Sequence, residues 1–198
     1  MVEKGSLKNE IVKNEILEKA QKLFQQYGLK KTTMDEIAAE CGKAKSTLYR
    51  YYNSKEEVFS AVIDLELRFL RIAVKEKVDK AHTTKDKIIA YFLEFHQEVL
   101  NKINLYRIVK HELMSKVLAE ECFAKMMNFE ISYVTRILED GHDTGEFVYV
   151  PKNEITWYSE LMIAAFLGIV RYSIESDESF DQNKLESAAQ LLVTRLFR

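Results

Sequence analysis

Apolar residues recur at three- and four-residue spacing through most of this chain, and the breaks between the runs divide it into helices. From Ile11 to Tyr27 the repeat Ile16, Ala20, Leu23, Phe24 and Tyr27 predicts a first helix, with Gly28 just past its end. Thr33 with Glu36 three residues on reads as a capping box, in which side chains satisfy the free backbone donors of a helix start. It opens a helix with Met34, Ile37, Ala38 and Cys41 inward, and Gly42 ends that helix after two turns. A second box, Ser54 with Glu57, opens a longer helix running through Val58, Val62, Leu65 and Phe69. Only one short helix fits between Gly42 and Ser54. A two-turn helix, a glycine turn and a second short helix, braced by a longer one before them, is the outline of a helix-turn-helix.

From about Thr84 the pattern changes to longer amphipathic helices, predicted over Lys85 to Asn101, Leu105 to Lys116, Leu118 to Asp140, Glu154 to Glu175 and Asp181 to Phe197. The stretch "GHDTGEFVYVP", Gly141 to Pro151, is the one extended connection of any length, and no internal repeat is visible. The fold class is therefore all-α: an N-terminal three-helix helix-turn-helix domain followed by a larger helical domain. Composition agrees, since 198 residues with one proline, six glycines and 47% hydrophobic content suit a helical globular protein. The longest apolar run, Leu161 to Val170, is about half the length needed to cross a bilayer, so it reads as a buried helix and no membrane partner is expected. A polar N-terminus without an apolar leader, and two distant cysteines (Cys41 and Cys122) expected as reduced, mostly buried thiols, predict a cytoplasmic protein.

Charge sharpens the picture at one place. The formal net charge is −2, yet residues 1–60 hold eleven Lys and Arg against nine Asp and Glu, leaving the acidic excess to the rest. Within them "KAKSTLYRYYNSK", Lys43 to Lys55, has four basic residues, three tyrosines and no acid. Screening over a Debye length of about 8 Å makes that local surface matter more to a partner than the distant acids. On a helix of about 100° per residue, Ala44, Leu48, Tyr51 and Tyr52 fall in one arc, and Lys45, Ser46, Tyr49 and Arg50 in the opposite one. The first arc can pack. The second presents donors to guanine acceptors and phosphate oxygens in a major groove, where any acid would be repelled.

The stretch from Ile16 to Leu65, above all "TTMDEIAAECGKAKSTLYRYYNSKEEVFSAVID", resembles the DNA-binding domain of the tetracycline-repressor (TetR) family of bacterial transcriptional regulators. "TLYRYYNSKEEV" matches the family's Thr-Leu-Tyr recognition helix, its further aromatic pair and its Ser/Asn-Lys step. "EDGHDTGEF" is similar to a glycine-spaced loop found before the eighth helix of many members. The resemblance implies that Thr33 and the helix it caps brace the DNA backbone, that Lys45, Ser46, Thr47 and Tyr49 lie in the groove, and that Tyr51 and Lys55 hold phosphates. Leu48 and Tyr52 are then core. Two positions depart from the family pattern: Lys43 replaces a usual apolar residue and offers a further phosphate contact, and Ala44 replaces a capping Ser or Thr. A lost N-cap costs on the order of 1 kcal/mol, which weakens the start of the recognition helix.

The resemblance implies two domains, residues 8–68 for DNA binding (helix-turn-helix about 33–52) and 69–198 for ligand binding and dimerisation. In the second, "WYSELMIAAFLGIVRYS" sets the small residues Ala164, Ala165 and Gly168 beside Leu161 and Ile169, and the last helix brings Leu185, Ala188, Ala189, Leu192 and Leu196. Two such helices from each subunit would form a four-helix homodimer interface. Tyr91, Phe92, Phe95, His96, Phe123, Met126, Met127, Trp157, Met162 and Phe166 supply aromatic and methionine surface for a pocket, or simply a core. No cofactor, metal or enzymatic activity is expected: "HELMS", His111 to Ser115, lacks the second histidine of a zinc-protease motif, and no phosphate loop, GxSxG or Cys/His cluster occurs. The reading is a regulator, expected to be a repressor, bound as a homodimer to a palindromic double-stranded operator and released by an unidentified small apolar or aromatic effector. The alternative is a ligand-binding or interaction module of the same fold without specific DNA binding.

Overall fold

The structure is a computed structural model describing residues 2–101, 116–146, 150–175 and 182–196, with side chains given for these except at 2–8, 116–123, 125, 171, 173–175, 182, 184, 192 and 195–196. The helix predicted over 105–116, apart from its last residue, lies outside the described residues, as do His111 and the side chains of Cys122, Phe123 and Leu192. Among the described residues the secondary structure is helical throughout, as expected: α1 (Val2–Lys31), α2 (Met34–Glu40), α3 (Lys45–Tyr49), α4 (Lys55–Val78), α5 (Thr84–Asn101), α6 (Lys116–Asp143), a 3-10 turn (Lys152–Glu154), α7 (Ile155–Glu175) and α8 (Gln182–Leu196). No helix among the described residues is long and apolar enough to cross a membrane.

The chain divides into two compact units, the first holding residues up to Phe69 and the second beginning at Leu70. In the first, Ile16, Ala20 and Phe24 of α1, Ile37 of α2, Leu48 of α3 and Val58, Phe59 and Val62 of α4 are buried together as the core. Phe24 meets Phe59 edge to face at 5.1 Å between centroids. Leu65 is buried as its spacing implies, whereas Phe69 at the same interval is exposed. In the second unit, α5 packs chiefly along α8 and also against α7. Its core joins Ile88, Tyr91 and Phe95 of α5, Val134 and Leu138 of α6, Ile163 and Phe166 of α7, and Leu185 and Val193 of α8.

Helix ends follow local chemistry with two corrections. The first helix begins by Val2 rather than Ile11; at Gly28 it breaks, with φ 79°, and one further turn runs to Lys31. Gly28 thus breaks the helix where its position predicted, in the extended positive-φ region (ψ 168°) that essentially only glycine adopts, rather than in the left-handed helical one. In the glycine-spaced stretch "EDGHDTGEF" the roles of Gly141 and Gly145 split. Gly141 is inside α6, which runs on to Asp143, and Gly145, with φ 81°, closes the helix. The N–H of Glu146 donates to the Gly141 carbonyl at 2.9 Å and that of Gly145 to His142 at 3.1 Å. These are the paired bonds of a Schellman cap. Gly141 serves close packing instead, since a Cβ there would lie 2.3 Å from the Thr84 hydroxyl oxygen and 2.5 Å from its methyl. The anticipated extended connection is therefore shorter, and part of it, 147–149, lies outside the described residues.

Candidate nucleic-acid interface

The helix-turn-helix is built from its caps. Thr33 accepts the Glu36 N–H at 3.2 Å while the Glu36 carboxylate accepts the Thr33 N–H at 2.8 Å, so both halves of the predicted box are present. The Thr33 hydroxyl also donates to Glu36 at 2.9 Å. Its donor is spent on the cap, which makes Thr33 a brace for α2. Gly42, with φ 61°, turns the chain, and the N–H groups of Gly42 and Lys43 donate to Ala39 and Ala38, each at 2.9 Å. This second Schellman cap fixes the angle at which α3 leaves α2. The start of α3 has no such support, because Ala44 offers no side-chain cap. At α4, Ser54 accepts the Glu57 N–H at 3.1 Å, but Glu57 reaches one residue further back, accepting the Asn53 N–H at 2.6 Å. The predicted box is present with one arm shifted.

On α3 the two arcs separate largely as the wheel places them. Leu48 and Tyr52 are buried, while Lys45, Ser46, Tyr49 and Arg50 are exposed and Thr47 is half-buried. Ala44 is the correction: it is exposed, because it caps the helix start outside the packed turn. Tyr51 buries part of its ring and donates its hydroxyl to Asn9 Oδ1 at 3.2 Å. The Arg50 guanidinium lies 6.0 Å from the centre of that ring.

The lysines carry the larger surprise. Lys55 was expected to present its ammonium to a phosphate. Instead Nζ donates to the carbonyls of Leu29, Lys30 and Thr32 at 2.8, 3.1 and 3.1 Å. An ammonium has three donors, and three carbonyls at the end of α1 take them. A cation at a helix C-terminus is favoured by the dipole, whereas at the N-terminus of its own α4 it is disfavoured, which explains why the side chain reaches back. Lys43 pairs with Glu15 at 2.8 Å, and Lys45 sits between both oxygens of Asp35 at 2.8 and 2.9 Å. These carboxylate bonds push both lysine pKa values up. The segment without acids in sequence thus receives two from α1 and α2. Lys19 with Glu40, at 3.3 Å, further ties those helices together.

The candidate pocket residues divide in the second unit. Tyr91, Phe92, Phe95 and Phe166 are buried against one another, with ring centroids 4.6 to 6.4 Å apart. They fill each other's space as a core. His96 is buried beside them and its pKa is lowered by that burial. Met126 and Met127 are half-buried, and Trp157 is a correction, lying exposed on α7 with its ring edge-to-face against Tyr158. A cavity of about 510 Å³ does exist, floored by Phe92, Met162 and Phe166 and rimmed by Leu161, Ala165 and Ala188. Sequence reasoning had assigned the first three to a pocket and the last three to an interface; the cavity brings them together. Leu161, Ala164, Ala165 and Gly168 are exposed along one face of α7, and a Cβ at Gly168 would meet nothing within 4 Å.

One group escaped the sequence reading. Glu130 of α6 is buried, accepts the Tyr91 hydroxyl at 2.9 Å and pairs with Arg71 Nε at 3.0 Å, while the Arg71 guanidinium lies 3.6 Å over the Phe129 ring. Burial raises the carboxyl pKa despite both partners. Its only sequence signal is an acid at an inward helical position. Cys41 is buried and free, and burial raises its thiol pKa, followed by the nearby Glu15.

Residues 16–62 match the family model for bacterial regulatory proteins of the tetR family. The chain is similar to the uncharacterised HTH-type transcriptional regulator YhgD of Bacillus subtilis, 29% identical over 66% of this chain and 69% of that one. It is 32% identical to the HTH-type transcriptional repressor SCO4008 of Streptomyces coelicolor over 46% of this chain and 47% of that one. Its fold is similar to that of a transcriptional regulator of the TetR/AcrR family from Thermobifida fusca, with a TM-score of 0.65 at 18% identity, covering 94% of this chain and 98% of that one.

Proposed function

We propose, from the premise that the chain belongs to the TetR family of DNA-binding transcriptional regulators, that it is a homodimeric repressor which leaves its operator when a small apolar ligand binds. The observation that carries the reading is α3, five residues long, with Leu48 buried and Lys45, Ser46 and Tyr49 turned outward beside Arg50. Held by the Gly42 turn, that face fits a major groove, where Ser46, Thr47 and Tyr49 reach phosphate or base edges and Lys45 and Arg50 reach guanine. Lys43 and Tyr51 lie at its margins as phosphate contacts. Thr33 and Lys55 hold the scaffold. The DNA-binding domain spans about 8–68 and the regulatory domain 69–198. The family consists of regulators, and no enzymatic role is assigned.

Dimerisation is supported by the exposed small and apolar face of α7 with Leu161, Ala164, Ala165 and Gly168, continued by Ala188 of α8. Small side chains let helices approach closely, and the same face on a second copy gives a two-fold interface. Two recognition helices then address half-sites about 34–36 Å apart in a palindrome. The cavity over Phe92 and Phe166, rimmed by that same face, gives the effector a mostly apolar seat. A ligand that prefers one spacing of the two heads shifts DNA affinity by the ratio of its affinities for the two states.

Selection of bound duplexes from a random pool tests the reading. Enrichment of one palindrome, bound less tightly as salt rises through counterion release, is the expected result. No enriched sequence, or affinity indifferent to salt, would overturn it.

A further inference from the structure

Asp35 holds Lys45 with both carboxylate oxygens, at 2.8 and 2.9 Å, at the first position of the recognition helix. Both side chains are more than half exposed, so the pair stands at the reading surface rather than beneath it. A carboxylate there is unfavourable for contact with phosphate, which any DNA supplies. To use Lys45 on a phosphate the protein must bring Asp35 against the same negative charge or break the pair, and this cost is the same on every sequence. The major-groove edge of a G·C pair differs. It sets the guanine O6 acceptor beside the cytosine N4 donor, which matches a lysine donor beside a carboxylate acceptor. Lys45 can donate to guanine while Asp35 accepts from cytosine, and neither charge is left unpartnered.

We infer that Asp35 is a specificity-determining residue: with Lys45 it forms a donor–acceptor pair that reads one G·C base pair in each half-site and penalises binding elsewhere. The inference rests on the DNA-binding reading above. It gives the absence of acids within Lys43–Lys55 a further sense, because the acid next to the reading face comes from α2, where the rigid Thr33 cap fixes its place.

The test compares the full chain with its Asp35→Asn variant, which keeps the shape and removes the charge. Binding to the selected palindrome and to an unrelated duplex of equal length is measured by fluorescence anisotropy over a salt series. For the variant, affinity for the unrelated duplex should rise and its salt slope steepen by about 0.9, as one freed cation releases one counterion equivalent. The ratio of palindrome to unrelated affinity should fall at least about fivefold, the low end for one base-pair discrimination. In a Lys45→Met background the Asp35→Asn change should lower that ratio by less than it does in the wild type, because the two side chains read the base pair together, and a circular-dichroism melt checks that each variant is folded. An unchanged or larger ratio on adding Asp35→Asn to the wild type would overturn the inference. Loss of salt-dependent binding by the wild type itself would instead overturn the underlying DNA-binding reading.

Discussion

Two exposed surfaces of this protein are finished in opposite ways. Around α3, the lysines have internal partners: Lys43 has Glu15, Lys45 has Asp35, and Lys55 has three carbonyls. Along α7, Leu161 stands 53% exposed beside exposed Ala164, Ala165 and Gly168, an apolar face turned to solvent. The first surface is at rest in water and must exchange partners to bind. The second gains from being covered, since each Å² of apolar area removed from water is worth roughly 25 cal/mol. On the function proposed above, specificity belongs to the head, where contacts are traded, and association strength to α7, where they are added.

The largest expected effect comes from spoiling the second surface. Leu161→Arg or Ala164→Arg places a cation where a second α7 should pack, and an unpaired buried charge is expensive. Sedimentation should show monomers at micromolar concentration. Operator affinity should fall by about 10³-fold, equivalent to about 4 kcal/mol, because each head then binds one half-site alone. Since both side chains are exposed, thermal stability of the monomer should change little, and a dimer that persists would remove α7 from the interface.

Next in size is Lys55→Met, which distinguishes a brace from a phosphate contact. Hydrogen bonds from a charged donor are worth about 1.5–3 kcal/mol, and their loss leaves the carbonyls of Leu29, Lys30 and Thr32 short of a donor. The melting temperature of the DNA-free protein should drop. The salt slope of operator binding should stay the same, whereas loss of a phosphate contact would lower it by about 0.9. Tyr49→Ala should show the reverse pattern, with stability unchanged and operator affinity down about fivefold, a cost near 1 kcal/mol, read by gel-shift titration.

These contrasts also mark what sequence can carry. Caps were legible because a box is a local pattern: Thr33 with Glu36 and Ser54 with Glu57 stand three residues apart, and Gly28 and Gly42 announce positive-φ breaks by type alone. Leu48 and Tyr52 were legible as core through helical spacing. The partners of the lysines were not, because Lys55 and Leu29 are 26 residues apart and nothing in either names the other. For the same reason Gly141 read as a loop residue; only the contact with Thr84 shows why a helix needs glycine there. Aromatic and methionine residues at inward positions serve a core and a pocket equally well by pattern. Distance decides, and Tyr91, Phe95 and Phe166 fall to the core, while Phe92 and Phe166 also floor a cavity.

The smallest effect probes how dry the layer behind the α7 face is. His96 is buried, and burial holds its pKa below the ordinary histidine value. In the unfolded chain it titrates near 6.5. As pH falls through that value the unfolded state takes up a proton that the folded state does not, so stability is lost on acidification and is fully present above it. The buried Glu130 acts with the opposite sign: its raised pKa lets the folded state hold a proton the unfolded chain has released, so stability falls as pH rises from the ordinary carboxyl range. Subtracting the His96→Gln profile from the wild type isolates the histidine. Melts between pH 7.5 and 5.5 should give a difference that grows below about 6.5 by less than about 1.4 kcal/mol per pH unit. A flat difference would mean that His96 is protonated in the folded state as readily as in water. The aromatic layer would then be wet, and the contrast between an apolar α7 face and a dry core behind it would have to be redrawn as one continuous, solvent-filled pocket.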